Sequence, residues 1–275
     1  STHSYILFFT TAGKVYWKKV YELPQVGPAA RGKAIVNLLE LSPGEKVSTF
    51  LSVREFEADR YIAFATRKGT VKKTALEAFS NPRKAGIIAI SLDEDDALID
   101  VRLTDGEQDI ILSTAAGKAI RFNESEVRAM GRTAAGVRGV SLEGDNAVIG
   151  LDVVTPDATL LVVSERGYGK RSAMDEYRIQ SRGGKGIFTM KVTEKTGSLV
   201  GVCMVTDDED IMLVTEGGKV IRTPVRGISV IGRNTQGVRL IGLEGVERVV
   251  GLARLAEKEE EGDEEAAGEQ REGEP

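Results

Sequence analysis

Short apolar runs joined by a polar turn that closes on glycine recur along the whole chain. Residues 5–17 read YILFFTTAGKVYW, and the pattern returns as YIAFATRKGTVKK (61–73), IILSTAAGKAIRF (110–122), LLVVSERGYGKRS (160–172) and IMLVTEGGKVIRT (211–223). The turn glycines Gly13, Gly69, Gly117, Gly167 and Gly218 follow one another at intervals of 48 to 56 residues. A period of this size marks a propeller or an array built from one supersecondary unit. Each copy has hairpin chemistry: an apolar run suited to a buried strand, then a turn whose Gly supplies positive φ, then a second strand. Lys118 and Arg121 fall on opposite faces of a period-2 strand unless a kink or an edge intervenes, so their faces are left open.

A second glycine follows each turn, at Gly32, Gly86, Gly136, Gly186 and Gly237, and introduces the strand-like runs KAIVNL, IIAISL, VRGVSL, IFTMKV and VRLIGL. A third run precedes the next hairpin, at residues 97–101, 147–151, 199–202 and 249–252. Each unit is therefore expected to hold four short strands. Residues 74–77 and 123–126 have capping-box spacing and, with 172–176, leave room for one helical turn and no more. The fold class is all-β, one continuous array.

Composition changes this picture in one place. The chain of 275 residues carries a net charge of −5. Residues 257–275, EKEEEGDEEAAGEQREGEP, hold ten acidic and two basic residues, a net of −8, and the remainder has 35 basic against 32 acidic, or +3. A Glu-rich and Gly-rich stretch without aromatics cannot bury enough apolar surface to fold. The expected organisation is a folded body, 1–256, and a disordered acidic tail, 257–275, able to compete with an anionic ligand for the body.

Basic residues recur at matched positions of the repeat. Beside the turn glycines stand Lys14, Lys18, Lys19, Lys72, Lys73, Lys118, Arg121, Lys170, Arg171, Lys219 and Arg222; near the second glycines stand Arg31, Lys33, Arg83, Lys84, Arg132, Arg138, Arg182, Lys185, Arg233 and Arg239. Arranged around an axis, they become a ring of positive charge, although any one of them reads equally as a solvated surface residue. The densest combination is Gln180, Ser181, Arg182, Gly183, Gly184, Lys185 and Gly186. Its glycines permit close approach of backbone N–H groups to phosphate, and its cations supply charge; a plain glycine-rich connection fits the spacing as well. Read as a phosphate nest, the box makes Arg182 and Lys185 matter more for phosphate binding than a matched pair such as Lys72 and Lys73.

Catalytic chemistry is sparse. His3 is the sole histidine, which leaves almost nothing for a triad or a His-based metal site. Cys203, the sole cysteine, lies in the apolar run LVGVCMV, precludes a disulfide within the chain and fits a reducing compartment. Asp93 to Asp96 and Asp207 to Asp210 lack the spacing of a calcium loop. Gly167 and Gly169 begin a G-x-G pattern that neither a third glycine nor a long helix completes. Catalytic residues, metal and cofactor are all expected to be none in this chain. No apolar stretch reaches the ~18 residues of a membrane span, and STHSYILFF lacks the basic region of a signal peptide.

The segments YELPQVGPAARGKAIVNLL, ATRKGTVKKT, SEVRAMGRTAAGVRG, GYGKRSAMDEY and IGRNTQGV resemble the C-terminal domain of the bacterial DNA gyrase A subunit, over residues 5–255. The resemblance implies a six-bladed β-pinwheel with strand exchange, its first blade truncated here, and duplex DNA wrapped around a basic rim. It also implies a cytoplasmic A2B2 holoenzyme formed with the gyrase B subunit and the remainder of the gyrase A subunit. ATP, Mg and the catalytic residues would lie outside this chain, and the isolated domain would be a monomer. The family's box, Q-R-R-G-G-K-G, belongs to the first blade; the version at 180–186 has Ser181 in place of the first Arg and sits in a later one. Two alternatives stand beside this reading. A topoisomerase IV subunit would bend DNA without strong wrapping, and a protein-binding propeller of the WD or kelch type would leave the Gly-Lys hairpins unexplained.

Overall fold

The computed structural model describes residues 2–25 and 32–255. The first unit contributes β1 (Tyr5–Thr10), β2 (Lys14–Lys19) and β3 (Val47–Val53). The second adds β4 (Tyr61–Thr66), β5 (Thr70–Ala75), the two-residue β6 (Ile87–Ile88) and β7 (Leu98–Thr104). The third adds β8 (Asp109–Thr114), β9 (Lys118–Asn123), β10 (Val137–Arg138) and β11 (Val148–Val153). The fourth adds β12 (Thr159–Ser164), β13 (Tyr168–Ala173), β14 (Ile187–Phe188) and β15 (Leu199–Val205). The fifth adds β16 (Asp210–Thr215), β17 (Val220–Pro224), β18 (Val238–Arg239) and β19 (Val249–Leu255).

Five antiparallel sheets result, where the resemblance implies six blades. Their orders are β3-β1-β2-β6, β7-β4-β5-β10, β11-β8-β9-β14, β15-β12-β13-β18 and β19-β16-β17. Each of the first four sheets therefore takes its fourth strand from the following unit. The fifth has three strands among the described residues. The run KAIVNL, expected as a strand, forms instead a 3-10 turn at Ile35–Asn37. The reason is the direction of exchange: a short strand pairs with the sheet of the unit before it, and the first unit has no earlier sheet in this chain to pair with.

The hairpin turns explain how the exchange is held. At Gly117 the backbone has φ +81°, and a Cβ there would lie 2.2 Å from the Met190 carbonyl oxygen, so only glycine admits the next unit so closely. The Gly117 carbonyl accepts from the N–H groups of Thr189 (2.8 Å) and Met190 (3.2 Å), two residues of the fourth unit. Gly13, Gly69 and Gly167 accept in the same way from residues 89–90, 139–140 and 240–241.

The core lies between sheets. Leu7, Phe9, Val15 and Trp17 of the first unit pack on Ile62, Phe64, Leu76 and Phe79 of the second, and equivalent clusters join each later pair. Strands β3, β7, β11, β15 and β19 pack successively against one another, which places them at the axis. The exchanged strands β6, β10, β14 and β18 stand at the opposite edge of each sheet and form the rim.

The expected helical turns are 3-10 turns at Leu76–Phe79, Glu124–Glu126 and Met174–Glu176, joined by two the sequence did not signal, Val20–Glu22 and Val225–Gly227. Asn123 caps its turn by accepting from the Ser125 N–H. Neither capping box closes. Thr74 Oγ1 is buried without a partner among the described residues, and Glu126 accepts instead from the Arg182 N–H.

Candidate nucleic-acid interface

At the rim, each exchanged strand sets one cross-strand pair beside the hairpin turn: Lys14 with Ile88, Thr70 with Arg138, Lys118 with Phe188, and Tyr168 with Arg239. Every pair carries one cation, supplied alternately by the hairpin strand and by the exchanged strand. The fifth sheet presents Lys219, 54% exposed, beside its hairpin turn. Each sheet thus sets one cation beside its hairpin turn, with Lys118 and Lys219 facing the carboxylates of Glu143 and Glu247. Lys118 lies over the Phe188 ring at 5.8 Å, and the Arg239 guanidinium over the Tyr168 ring at 5.6 Å.

Four cations expected on the rim are buried. Lys72 is 1% exposed and donates to the carbonyls of Ala89 and Arg132, while Lys170 is fully buried and donates to the Gly232 carbonyl (2.6 Å) and Ser172 Oγ (3.0 Å). Burial pushes the Lys72 ammonium down to about 7 and that of Lys170 to about 8. Lys73 donates to the Glu124 carbonyl (2.9 Å) and faces its buried carboxylate at 3.5 Å. Arg171 donates to the Ile228 carbonyl (2.8 Å) and pairs with Asp207. These groups have their donors occupied inside the protein and do not reach a phosphate outside it.

Lys73, Arg121 and Arg171 share one job. Each stands four residues after its turn glycine and donates to carbonyls at or next to the following unit's 3-10 turn: Glu124, then Met174 and Tyr177, then Ile228. Arg121 also pairs with Asp109 at 2.8 Å. Arg222, the fourth of the series, pairs with Asp210 of its own sheet and is 45% exposed. The recurrence that suggested a ring of charge therefore contains two sets, one on the rim and one between sheets.

The loop at 180–186 is in good part a connection of the second kind. Gly183 donates its N–H to the Gly139 carbonyl (2.6 Å), and the Arg182 N–H goes to the Glu126 carboxylate (3.0 Å). The carbonyls of Gly183 and Gly184 accept from Ser141, and the Gln180 N–H donates to the Arg121 carbonyl. The Arg182 guanidinium donates to the carbonyls of Glu126 and Arg138. Arg233 repeats that reach one unit later, onto the Phe188 carbonyl. Three N–H groups of the expected phosphate nest, those of Gln180, Arg182 and Gly183, are thus already in use. Ser181 and Lys185 are exposed, Gly186 half-buried.

Of the remaining candidates, Lys33, Arg83, Lys84 and Arg138 are exposed, while Lys18, Lys19 and Arg132 are half-buried. Arg31 lies outside the described residues. Sequence reasoning passed over Arg128 and Arg178, both exposed, each standing four residues before Arg132 or Arg182; that shared offset was the available signal. Among the described residues no group of three or more His, Cys, Asp or Glu is placed to hold a metal, and no helix is long and apolar enough to cross a membrane. Burial pushes the Cys203 thiol up to about 12, far from a reactive thiolate.

Sheets packed about an axis, the first four each closed by the next unit and all five with a cation beside the hairpin turn, define a strand-exchanged, propeller-like domain. The chain belongs to the family described as DNA gyrase C-terminal domain, beta-propeller, whose repeat matches residues 4–54, 60–105, 108–155, 158–202 and 209–256. It is 51% identical over 257 residues to the DNA gyrase A subunit of Salmonella typhimurium, with 94% of this chain and 29% of that protein covered. To its Escherichia coli K12 counterpart it is 47% identical over 263 residues, covering 96% and 30%. The chain thus spans less than a third of the length of these relatives. Among solved structures it is similar to a DNA gyrase A C-terminal domain, with TM-score 0.81 and 27% identity over 92% of this chain and 83% of that one. It is also similar to the C-terminal domain of DNA topoisomerase IV, with TM-score 0.84 and 29% identity over 92% and 80%.

Proposed function

We propose that this domain binds, bends and wraps duplex DNA without sequence preference, as the C-terminal part of a gyrase A subunit, and so supports ATP-dependent negative supercoiling by a holoenzyme that includes the gyrase B subunit. The observation that carries this reading is the row of cations beside the hairpin turns, Lys14, Arg138, Lys118, Arg239 and Lys219, one on each successive sheet. Bending 20 to 30 base pairs through 40 to 90° costs of order 1 to 6 kcal/mol, which a distributed line of phosphate contacts offsets and a single contact does not. Lys33, Arg83, Lys84, Arg128, Arg178 and Lys185 extend the line; Arg182 and Arg233 position the loops that carry it. On this reading a sixth blade belongs to the complete array, and its short strand would pair with the edge of β17.

Binding is expected to weaken with salt at a slope of about −0.9 per phosphate contact in log K against log salt, so six or more contacts give a steep line. A flat response in a titration on random-sequence duplex, or binding confined to one sequence, would leave the protein-binding propeller in its place. The likeness to a topoisomerase IV domain keeps a second reading, bending without strong wrapping, and DNA minicircle topology separates the two.

Residues 257–275 lie outside the described part. Their net of −8 set beside a body of +3 supports a tail that competes with DNA for the rim. Truncation after Ala256 is expected to raise DNA affinity at low salt and to lose that advantage as the Debye length falls below ~8 Å. Equal binding at low salt by both forms would make the tail a bystander.

A further inference from the structure

Two glutamates, Glu45 and Glu247, stand at matched places two residues before their axial strands, while Glu143 stands five residues before β11 and has different surroundings. Glu45 accepts from Thr10 Oγ1 (2.6 Å), Tyr16 Oη (3.0 Å) and the Ser42 N–H (2.9 Å). Glu247 accepts from Thr215 Oγ1 (2.6 Å) and from one ammonium, that of Lys219 (3.4 Å), and its side chain is 14% exposed. Both are tied into the fold. Glu143 is 57% exposed, and among the described residues its carboxylate meets only two ammonium groups: Lys118 at 3.3 Å through Oε2 and Lys185 at 2.6 Å through Oε1. The two lysines come from different units, one from the rim strand β9 and one from the glycine-rich loop before β14. Lys185 and Lys118 together hold the Glu143 carboxyl below the usual carboxylate range.

A carboxylate that offers one oxygen to each of two lysines has the charge and the paired acceptors of a phosphodiester, which presents two non-bridging oxygens. Exposed pairs of this kind contribute little to folding, so stability does not account for the bridge. We infer that Glu143 stands in for a DNA phosphate between Lys118 and Lys185 and limits the affinity of the rim at this junction. The inference rests on the DNA-binding reading above. It makes Glu143 an affinity-setting residue: the junction engages DNA only as the two ammoniums exchange the carboxylate for a phosphate.

The test is a salt titration of duplex binding by this chain and by Glu143→Gln, alone and combined with Lys118→Ala and Lys185→Ala. Glu143→Gln is expected to bind about two- to fivefold more tightly at low salt, in line with the strength of an exposed ion pair. Its salt slope is expected to steepen by about 0.9, one added phosphate contact, with the unfolding midpoint unchanged. In the background lacking both lysines the gain is expected to fall by at least half. A Glu143→Gln variant that binds no better than the parent, or gains equally without the lysines, overturns the inference while leaving DNA binding intact. A parent chain with no salt-dependent binding overturns the DNA-binding reading itself, and the inference with it.

Discussion

Replacing Lys73 by Ala is expected to lower the unfolding free energy by about 3 to 5 kcal/mol, the usual cost of stranding one member of a buried ion pair. Its partner Glu124 is 1% exposed and holds three further donors, Thr104 Oγ1 (2.7 Å), the Gly106 N–H (2.9 Å) and the Gln108 N–H (3.0 Å). The carboxylate is fixed in place and cannot turn to water when its cation is lost. The carbonyl of Glu124 loses its Lys73 donor as well, so the variant opens the junction between the second and third sheets. Urea unfolding measures the loss as a lower midpoint. DNA affinity per folded molecule is expected to stay at the parent value, whereas a rim lysine such as Lys14 would show the reverse: normal stability and weaker binding. A Lys73→Ala protein of parent stability and reduced affinity would return this residue to the rim.

The buried amines of Lys72 and Lys170 give the second large effect, a stability that rises with pH. In the unfolded chain both lysines titrate near the ordinary value, while in the fold burial holds them at about 7 and about 8. Between these values and the unfolded one the unfolded chain binds more protons than the native protein, so raising the pH favours the fold. The expected slope is up to about 1.4 kcal/mol per pH unit for each lysine, first from Lys72 above about pH 7 and then from both above about pH 8. Below about pH 7 the contribution levels off. Cys203 and Tyr16, both pushed up to about 12 mainly by burial, act in the opposite sense as the pH passes their ordinary values of 9.0 and 10.0, and so offset the upper end of the rise. Urea midpoints from about pH 7 to about pH 8.5 measure the slope, and Lys72→Met with Lys170→Met is expected to flatten it. An unchanged slope in the double variant would assign the pH dependence elsewhere.

The parts of this fold that a reader of the sequence reaches are those set by neighbours along the chain. A turn glycine such as Gly117 is legible because positive φ is a local demand, and the axial strands are legible because Val, Ile and Leu run together there. The exchange of strands is not local. Nothing in VRGVSL says that Val137 pairs with Val71 of the previous unit and not within its own. The buried cations misled for a related reason, since charge by itself reads as contact with water. A signal was present nonetheless. Adjacent residues on a strand point to opposite faces, so Lys72 with Lys73, and Lys170 with Arg171, cannot both be solvated in a sheet packed on its two sides. Glu143 carried no such mark: Lys118 and Lys185 lie far apart along the chain, and only the folded structure brings both to one carboxylate.

The direction of strand exchange also fixes an order of events while the chain is being made. Because β6 completes the sheet begun by β1 and β2, and β10 the one begun by β4 and β5, every sheet leaves the ribosome unfinished and waits for the following unit to be synthesised. The nascent protein always trails one open edge of the kind β17 shows, and each new unit closes its predecessor while opening its own. A pause in translation between units leaves a strand edge ready to pair with another chain, so steady synthesis through all the repeats protects this fold from aggregation.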